Sequence, residues 1–213
     1  MLRLWNRFIL MPNNRMVKKI FIWDKTFCNN NWNSELKSIM EKIGMTEDYN
    51  NTRLVDLKIA EKILRLKAAN DWKNELPTKP KLRTYITFKE NYGTEDFARC
   101  CHDRLQRSLI AQIRSGTLPL NIEVGRFRNI QLEDRICTLC NNNMLEDEFH
   151  FVCQCRLYDD IRSNLYDTIQ LKNTEFHTLE PRQKFDHILK NEWNLLGKFL
   201  KIAWERRTRK LYD

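Results

Sequence analysis

Four side chains that commonly bind metal ions lie within 19 residues of one another near the middle of the chain. They are Cys137, Cys140, His150 and Cys155, in the spacing Cys-x2-Cys-x9-His-x4-Cys. The Cys-x2-Cys pair places two thiolates on one tight turn, and the later His and Cys return two more donors. Thiolates combined with imidazole favour Zn²⁺ over harder ions. Because all four protein positions are filled, the spacing predicts a structural zinc site rather than a catalytic one.

Two alternatives to this ligand set stay open on the sequence alone. Cys153 lies three residues after His150 and competes with Cys155 for the fourth ligand position, since only one of the two would face inward with His150 in a helical segment. The other alternative is a set of buried free thiols beside a core histidine. The clustering of cysteines in a chain without a secretory signal favours metal.

The chain holds only 5 glycines in 213 residues and has no Gly-x-Gly pair. Phosphate-binding loops and dinucleotide-binding turns need such glycines, so both are disfavoured. Apolar residues recur at three- and four-residue intervals over long stretches, which indicates amphipathic helices. We therefore expect a mainly α fold, a helical bundle-like domain with a small structural zinc knuckle inserted.

The predicted organisation has four regions. Pro77-Thr78-Lys79-Pro80 interrupts the helical pattern and is the best candidate linker. After it, one helix is predicted to begin at Thr94 and end at Gly116, and the segment 118–134 is expected to be irregular. A long helix is predicted to run from Pro181 to the end of the chain. The regions are N-terminal helical (1–76), basic helical and loop (77–134), CCHC-type zinc knuckle (135–156) and C-terminal helical (157–213).

The cysteine-rich segment 135–155 resembles the zinc-knuckle segment at the C-terminus of non-LTR (LINE-type) retrotransposon reverse transcriptases. That family shows Cys-x2-Cys, an acidic stretch and then His-x4-Cys. Other matching runs are Arg114-Ser-Gly-Thr-Leu-Pro-Leu, Gly125-Arg126-Phe127, Trp23-Asp24 and Trp204-Glu205-Arg206-Arg207. The resemblance covers nearly the whole chain, as the region downstream of the polymerase. It implies a module that helps a reverse transcriptase to hold its RNA template or target DNA in target-primed reverse transcription.

The polymerase catalytic motifs of that family are missing from this chain. Tyr158-Asp159-Asp160 superficially resembles the metal-binding aspartate pair, but it lacks the spacer residue and falls in a helical pattern rather than between two strands. Acidic residues at a helix start are the simpler reading, because they complement the helix dipole. We therefore predict no catalytic residue and no enzymatic activity, against an alternative in which a polymerase remnant uses the two aspartates.

Lys and Arg number 37 against 28 Asp and Glu, a net charge of +9. Clustered cations can neutralise phosphates and release counterions. The four residues predicted to contact nucleic acid, RNA or DNA, are Arg107, Arg114, Arg126 and Arg128. Aromatic residues among them, such as Phe127, could stack on unpaired bases. The alternatives are a protein-interaction scaffold, whose charge serves only solubility, and a transposon-derived fragment without function.

Uncharged apolar runs in the sequence are about four residues long, far below the ~20 needed to cross a bilayer. The N-terminus also lacks a small-residue cleavage site. These features predict an intracellular protein, in the nucleus or the cytoplasm, that is not secreted. Its expected partners are nucleic acid and the rest of a reverse transcriptase, with no membrane and no small-molecule substrate.

Overall fold

The computed structural model describes residues 1–27, 31–79, 82–101 and 103–212. It is mainly α, with 72% helix and no strand in the described part of the chain, as the periodicity predicts. The helices of that part are α1 (Leu2–Leu10), α2 (Met16–Phe27), α3 (Trp32–Lys42), α4 (Thr46–Asn50), α5 (Leu57–Glu75), α6 (Arg83–Phe88), α7 (Asp96–Cys100), α8 (Arg104–Ser115), α9 (Asn121–Phe127), α10 (Asp159–Gln170), α11 (Pro181–Asn191) and α12 (Trp193–Tyr212).

The chain divides into two compact units. The first is Met1–Trp72 and the second runs from Lys73 to the C-terminus. The predicted regions 77–134, 135–156 and 157–213 all lie in the second unit, and Pro80 of the predicted linker lies outside the described residues.

An aromatic cluster forms the core of the first unit. Trp5 of α1 is fully buried, stacks on Tyr49 at 5.3 Å between ring centroids and meets Phe21 edge-on at 5.5 Å. Its indole Nε1 donates to the carbonyl of Arg53 at 2.9 Å, so the polar atom of the buried ring is satisfied.

Asn31 caps the start of α3 by accepting from two backbone N–H groups.

Two lysines of α2 turn inward in this unit and contact the C-terminal ends of other helices. Lys18 Nζ donates to the carbonyls of Phe8 and Ile9 at the end of α1, at 2.6 and 3.2 Å. Lys25 Nζ donates to the carbonyl of Tyr49 at the end of α4, at 2.6 Å. Cations at these positions satisfy carbonyls that have no partner inside their own helix and complement the helix dipole.

Helices α8 and α12 form the centre of the second unit. Asp103 caps α8 by accepting from the N–H of Gln106 at 3.0 Å, and Gly116 ends it in the left-handed conformation at φ 69°. The two helices approach closely at Gly197, where a Cβ would lie 3.0 Å from Gln106. The shared core includes Ile110, Ile113, Leu196, Phe199, Leu200, Phe151 and the cysteines of the predicted knuckle.

Three predicted boundaries differ from the structure. The single helix expected from Thr94 to Gly116 is two helices, because Asp103 re-caps the chain after α7 ends at Cys100. His102, between them, lies outside the described residues. The segment expected to be irregular contains α9. The final helix is interrupted at Glu192, so α11 and α12 are separate.

Candidate metal centre

The first two ligand positions lie on a short hairpin. The N–H of Cys137 donates to the carbonyl of Met144 at 2.8 Å, and the N–H of Glu146 donates to the carbonyl of Arg135 at 2.9 Å. Between these pairings the chain reverses through Asn141 and Asn143, whose φ angles are 55° and 49°. Asparagine tolerates this left-handed region better than most residues, so the asparagine run of the sequence is suited to the reversal.

The other two positions lie on a wide turn of π-helix, His150–Gln154. The N–H of Cys155 donates to the carbonyl of His150 at 2.8 Å, an i to i+5 bond that brings residues five apart to the same side. Cys153 instead faces Tyr166, and burial raises the pKa of its thiol to about 11. The structure therefore groups Cys155, and not Cys153, with His150.

The four donor atoms of Cys137, Cys140, His150 and Cys155 all lie within 4.8 Å of one another, and all four residues are buried. The Sγ atoms of Cys137 and Cys155 are 4.0 Å apart, and Cys140 Sγ is 3.4 Å from His150 Nε2. Zn–S and Zn–N bonds of about 2.3 and 2.0 Å in a tetrahedron place two sulfurs about 3.8 Å apart and sulfur about 3.5 Å from nitrogen. The residues present fit a metal ion of this kind.

Protonation of the metal-free thiols is coupled. A hydrogen bond to Cys155 raises the pKa of Cys137 to about 12, and the same bond lowers the pKa of Cys155. Without a bound ion, the two sulfurs therefore share an S–H···S hydrogen bond, in which one sulfur carries the proton and the other accepts the bond. A bound cation would take the place of that proton, because thiolates and not thiols are the ligands.

His150 is held mainly through its backbone and its packing. Its N–H donates to Asp147 Oδ1 at 2.7 Å. Its ring Nε2 faces Cys140, while Nδ1 is buried and has no hydrogen-bond partner among the described residues. The ring therefore offers Nε2 to the site, and no protein acceptor within that part of the chain fixes the other nitrogen.

A buried ion pair ties the hairpin to α12. Arg207 contacts both carboxylate oxygens of Glu146, and both side chains are almost completely buried. Glu146 also accepts from the backbone N–H of Asn121 at 2.9 Å, and its carbonyl accepts from the N–H of Ile122 at 3.1 Å. One glutamate thus connects the hairpin, the start of α9 and the last helix.

A second arginine contacts the candidate ligand Cys155 directly. The buried Arg162 donates to the carbonyl of Cys155 and to Asp159 Oδ1, the latter at 2.7 Å. The next aspartate, Asp160, accepts from Arg206 at 2.8 Å, and this hydrogen bond lowers the pKa of Asp160 to about 2. Both acids lie in the first turn of α10 and are engaged by arginines.

Helix α9 is attached to the hairpin along its length. Asn121 Nδ2 donates to the carbonyl of Ile136 at 2.7 Å, and Arg135 donates to the carbonyls of Ile122 and Ile130, the former at 3.0 Å. Arg135 crosses α9 at Gly125, where a Cβ would lie 2.6 Å from Arg135 Cγ. The position of α9 therefore depends on the hairpin that carries Cys137 and Cys140.

The four arginines predicted to contact nucleic acid lie in different settings. Arg114 is only 4% exposed, pairs with Glu95 at 2.9 Å and lies over the Phe88 ring at 4.1 Å, so its position gives no support to that role. Arg107 is half-buried and donates to the carbonyl of Cys101 at 2.8 Å. Arg126 and Arg128 lie together at the end of α9. Arg126 pairs with Glu123 at 2.7 Å, and Arg128 is exposed.

The ion pairs around the knuckle were not identified from the sequence. Glu146, Arg207 and Arg162 look like ordinary surface charges there, because their partners are distant in the chain or lie on irregular turns. The one available signal is that Glu146 and Glu148 occur in the short segment between the two predicted pairs of zinc ligands.

No helix among the described residues has both the length and the apolar character that crossing a bilayer requires. Comparison of the chain with protein-family models, curated proteins and solved structures gave no match.

Proposed function

We propose that this chain is a non-catalytic, zinc-stabilised module that binds nucleic acid. The observation that carries the proposal is the closed set of four buried donors, which leaves no ligand position for water or substrate. A metal in such a site contributes folding energy rather than chemistry.

The proposed zinc ligands are Cys137, Cys140, His150 and Cys155. Bound there, zinc supplies a cross-link between the hairpin and the π-helical turn. Glu146 and Arg135 transmit that restraint to α9 through the hydrogen bonds to its first turn. Metal binding would therefore fix the orientation of α9 and of the residues at its end.

The proposed nucleic-acid contact is the exposed corner formed by Arg126, Phe127 and Arg128. Phe127 is 71% exposed, and the Arg126 guanidinium lies 4.9 Å from its ring centroid. An aromatic ring between two cations combines a surface for base stacking with neutralisation of phosphates. Arg126 is partly exposed and gives only Nη2 to the buried Glu123. Because a guanidinium has five N–H donors, a phosphate can contact Arg126 without breaking its pair with Glu123.

The resemblance to the region downstream of non-LTR retrotransposon polymerases supplies the proposed context. In that context the module holds RNA template or target DNA for a reverse transcriptase, with weak sequence preference. The engagement of Asp159 and Asp160 by arginines supports a non-catalytic reading.

The test is fluorescence anisotropy with labelled single-stranded RNA and duplex DNA, using the zinc-loaded chain over a salt series. Replacing Arg126 and Arg128 with Ala should weaken binding and make the slope of log K against log salt shallower by about 1.4–1.8, since each lost phosphate contact contributes about 0.7–0.9. The matched control is Arg99→Ala with Arg104→Ala, which removes the same charge from two other exposed positions of the second unit.

Equal losses in the two double variants would show that only net charge matters, and would contradict the assignment of the corner. Binding of the wild type that is flat across the salt series would contradict the function itself.

A further inference from the structure

Helix α2 presents its polar and apolar residues in the reverse of the usual arrangement. Its inward face carries Lys18, Phe21 and Lys25. The apolar residues of its outward face are between 57% and 71% exposed: Met16, Ile20, Trp23 and Phe27. Large exposed apolar stripes on soluble proteins mark interaction sites.

The spacing of this outward stripe is that of a helix–helix seam. Met16, Ile20, Trp23 and Phe27 follow one another at intervals of four, three and four residues. These are the alternating d and a positions of a heptad, which lie along one line of a helix and pack against an equivalent line on another helix. The seam is about one and a half heptads long, so pairing through it is expected to be weak and concentration-dependent.

Charges beside the seam favour a second copy of the same helix. With Ile20 at an a position, Lys19 occupies g and Asp24 occupies e. In a parallel pair, the g residue of one helix faces the e residue five positions later on the other, so Lys19 of each copy faces Asp24 of its partner. Asp24 Oδ2 accepts from Asn33 at 2.9 Å, which holds this carboxylate at the edge of α2.

We propose that the chain self-associates through α2, as a parallel pair of helices joined by the four-residue apolar seam and two Lys19–Asp24 ion pairs. The proposal concerns the first unit and does not depend on the nucleic-acid function of the second. It provides the chain with a way to bring two copies together.

The first experiment is sedimentation velocity of the full chain over a wide concentration range. We expect a monomer–dimer equilibrium in the wild type that disappears in Ile20→Ser. The matched control is Leu171→Ser, which removes an apolar side chain that is 87% exposed in the second unit and should leave dimerisation unchanged. A wild type that stays monomeric, or a dimer that survives Ile20→Ser, would overturn the proposal and leave the stripe for a different partner.

Charge exchange tests the parallel orientation. Lys19→Glu and Asp24→Lys each place two like-charged pairs across the seam and should weaken dimerisation about tenfold. When the two variants are mixed, a dimer with one copy of each has opposite charges at both pairs, so the mixture should recover dimerisation. A misfolded variant could not recover in this way, and a mixture that stays monomeric would contradict the arrangement.

Discussion

The two compact units place cations in their interiors in different ways. In the first unit, Lys18 and Lys25 donate to neutral carbonyls at helix ends. In the second, Arg207 and Arg162 contact carboxylates, and their partners belong to or adjoin the segment that carries the metal ligands. Carbonyls at a helix end can be rehydrated when a lysine is lost, whereas a buried carboxylate without its arginine remains an unpaired charge. Loss of Arg207 is therefore expected to cost more stability than loss of Lys25, because Glu146 is buried.

The largest expected effect comes from breaking the metal site. Cys140→Ser should abolish binding of one zinc per chain and unfold the second unit, because structural zinc contributes about 10–16 kcal/mol in small domains and a domain has only about 5–15 kcal/mol in total. Native mass spectrometry measures the zinc, and hydrogen exchange should show protection lost after Lys73 and retained in Met1–Trp72.

The control for this change is Cys153→Ser, which replaces a cysteine outside the donor group and should leave the zinc stoichiometry unchanged. A cooperatively folded wild type without metal would contradict the zinc assignment.

The next largest effect comes from removing a cation, either one that pairs with a carboxylate or one that donates to carbonyls. Arg207→Met should destabilise the second unit by about 3–5 kcal/mol, because it leaves Glu146 buried without its partner. Lys25→Met should cost the first unit about 1.5–3 kcal/mol, the value of hydrogen bonds that involve a charged group, because water can reach the carbonyls that lose their donor. Urea unfolding, followed by hydrogen exchange in each unit, measures both. Equal losses of stability in Arg207→Met and Lys25→Met would contradict the proposed difference between a carboxylate partner and a carbonyl partner.

The smallest effect is a pH dependence at Glu148. Burial raises the pKa of this carboxyl above its ordinary value of 4.5, and the opposing charge of Arg83 lowers it only in part. The folded state therefore holds a proton more tightly than the unfolded state, and this group adds stability as the pH falls through the folded pKa towards 4.5.

Urea unfolding with zinc in excess measures the free energy of unfolding of the wild type and of Glu148→Gln. The wild-type value minus the variant value should increase as the pH is lowered through that window. A difference that stays constant with pH would contradict the raised pKa. Because wild type and variant share the pH dependence of zinc binding, that dependence cancels when one free energy of unfolding is subtracted from the other.

The helical class and the composition of the donor group were predictable from the sequence, because both depend on local spacing. The apolar repeats identify most helices, and Cys137, Cys140 and His150 are close enough in the chain to be recognised as one site. The choice between Cys153 and Cys155 was not predictable, since it depends on a π-helical turn. A regular α-helix would have favoured the residue three positions after His150.

Long-range polar contacts account for the other differences. Arg114 has the appearance of a surface residue on an amphipathic helix, yet Glu95 and the Phe88 ring hold it in the interior. Helix α9 was not predicted because its own sequence has little apolar periodicity. Contacts with Glu146 and Arg135 hold it in place instead. The contacts of Arg114 and those of α9 cannot be predicted from the residues next to them in the sequence.

The buried pair of Glu146 and Arg207 also has a consequence for the order of assembly during synthesis. The two cysteines at the ends of the donor group are 18 positions apart, whereas Glu146 and Arg207 are separated by 61. Chains emerge from the ribosome N-terminus first, so the complete donor group is available well before α12. Until Arg207 arrives, the Glu146 carboxylate must remain hydrated. Helix α12 can therefore pack against Glu146 only after all four residues of the donor group have been synthesised.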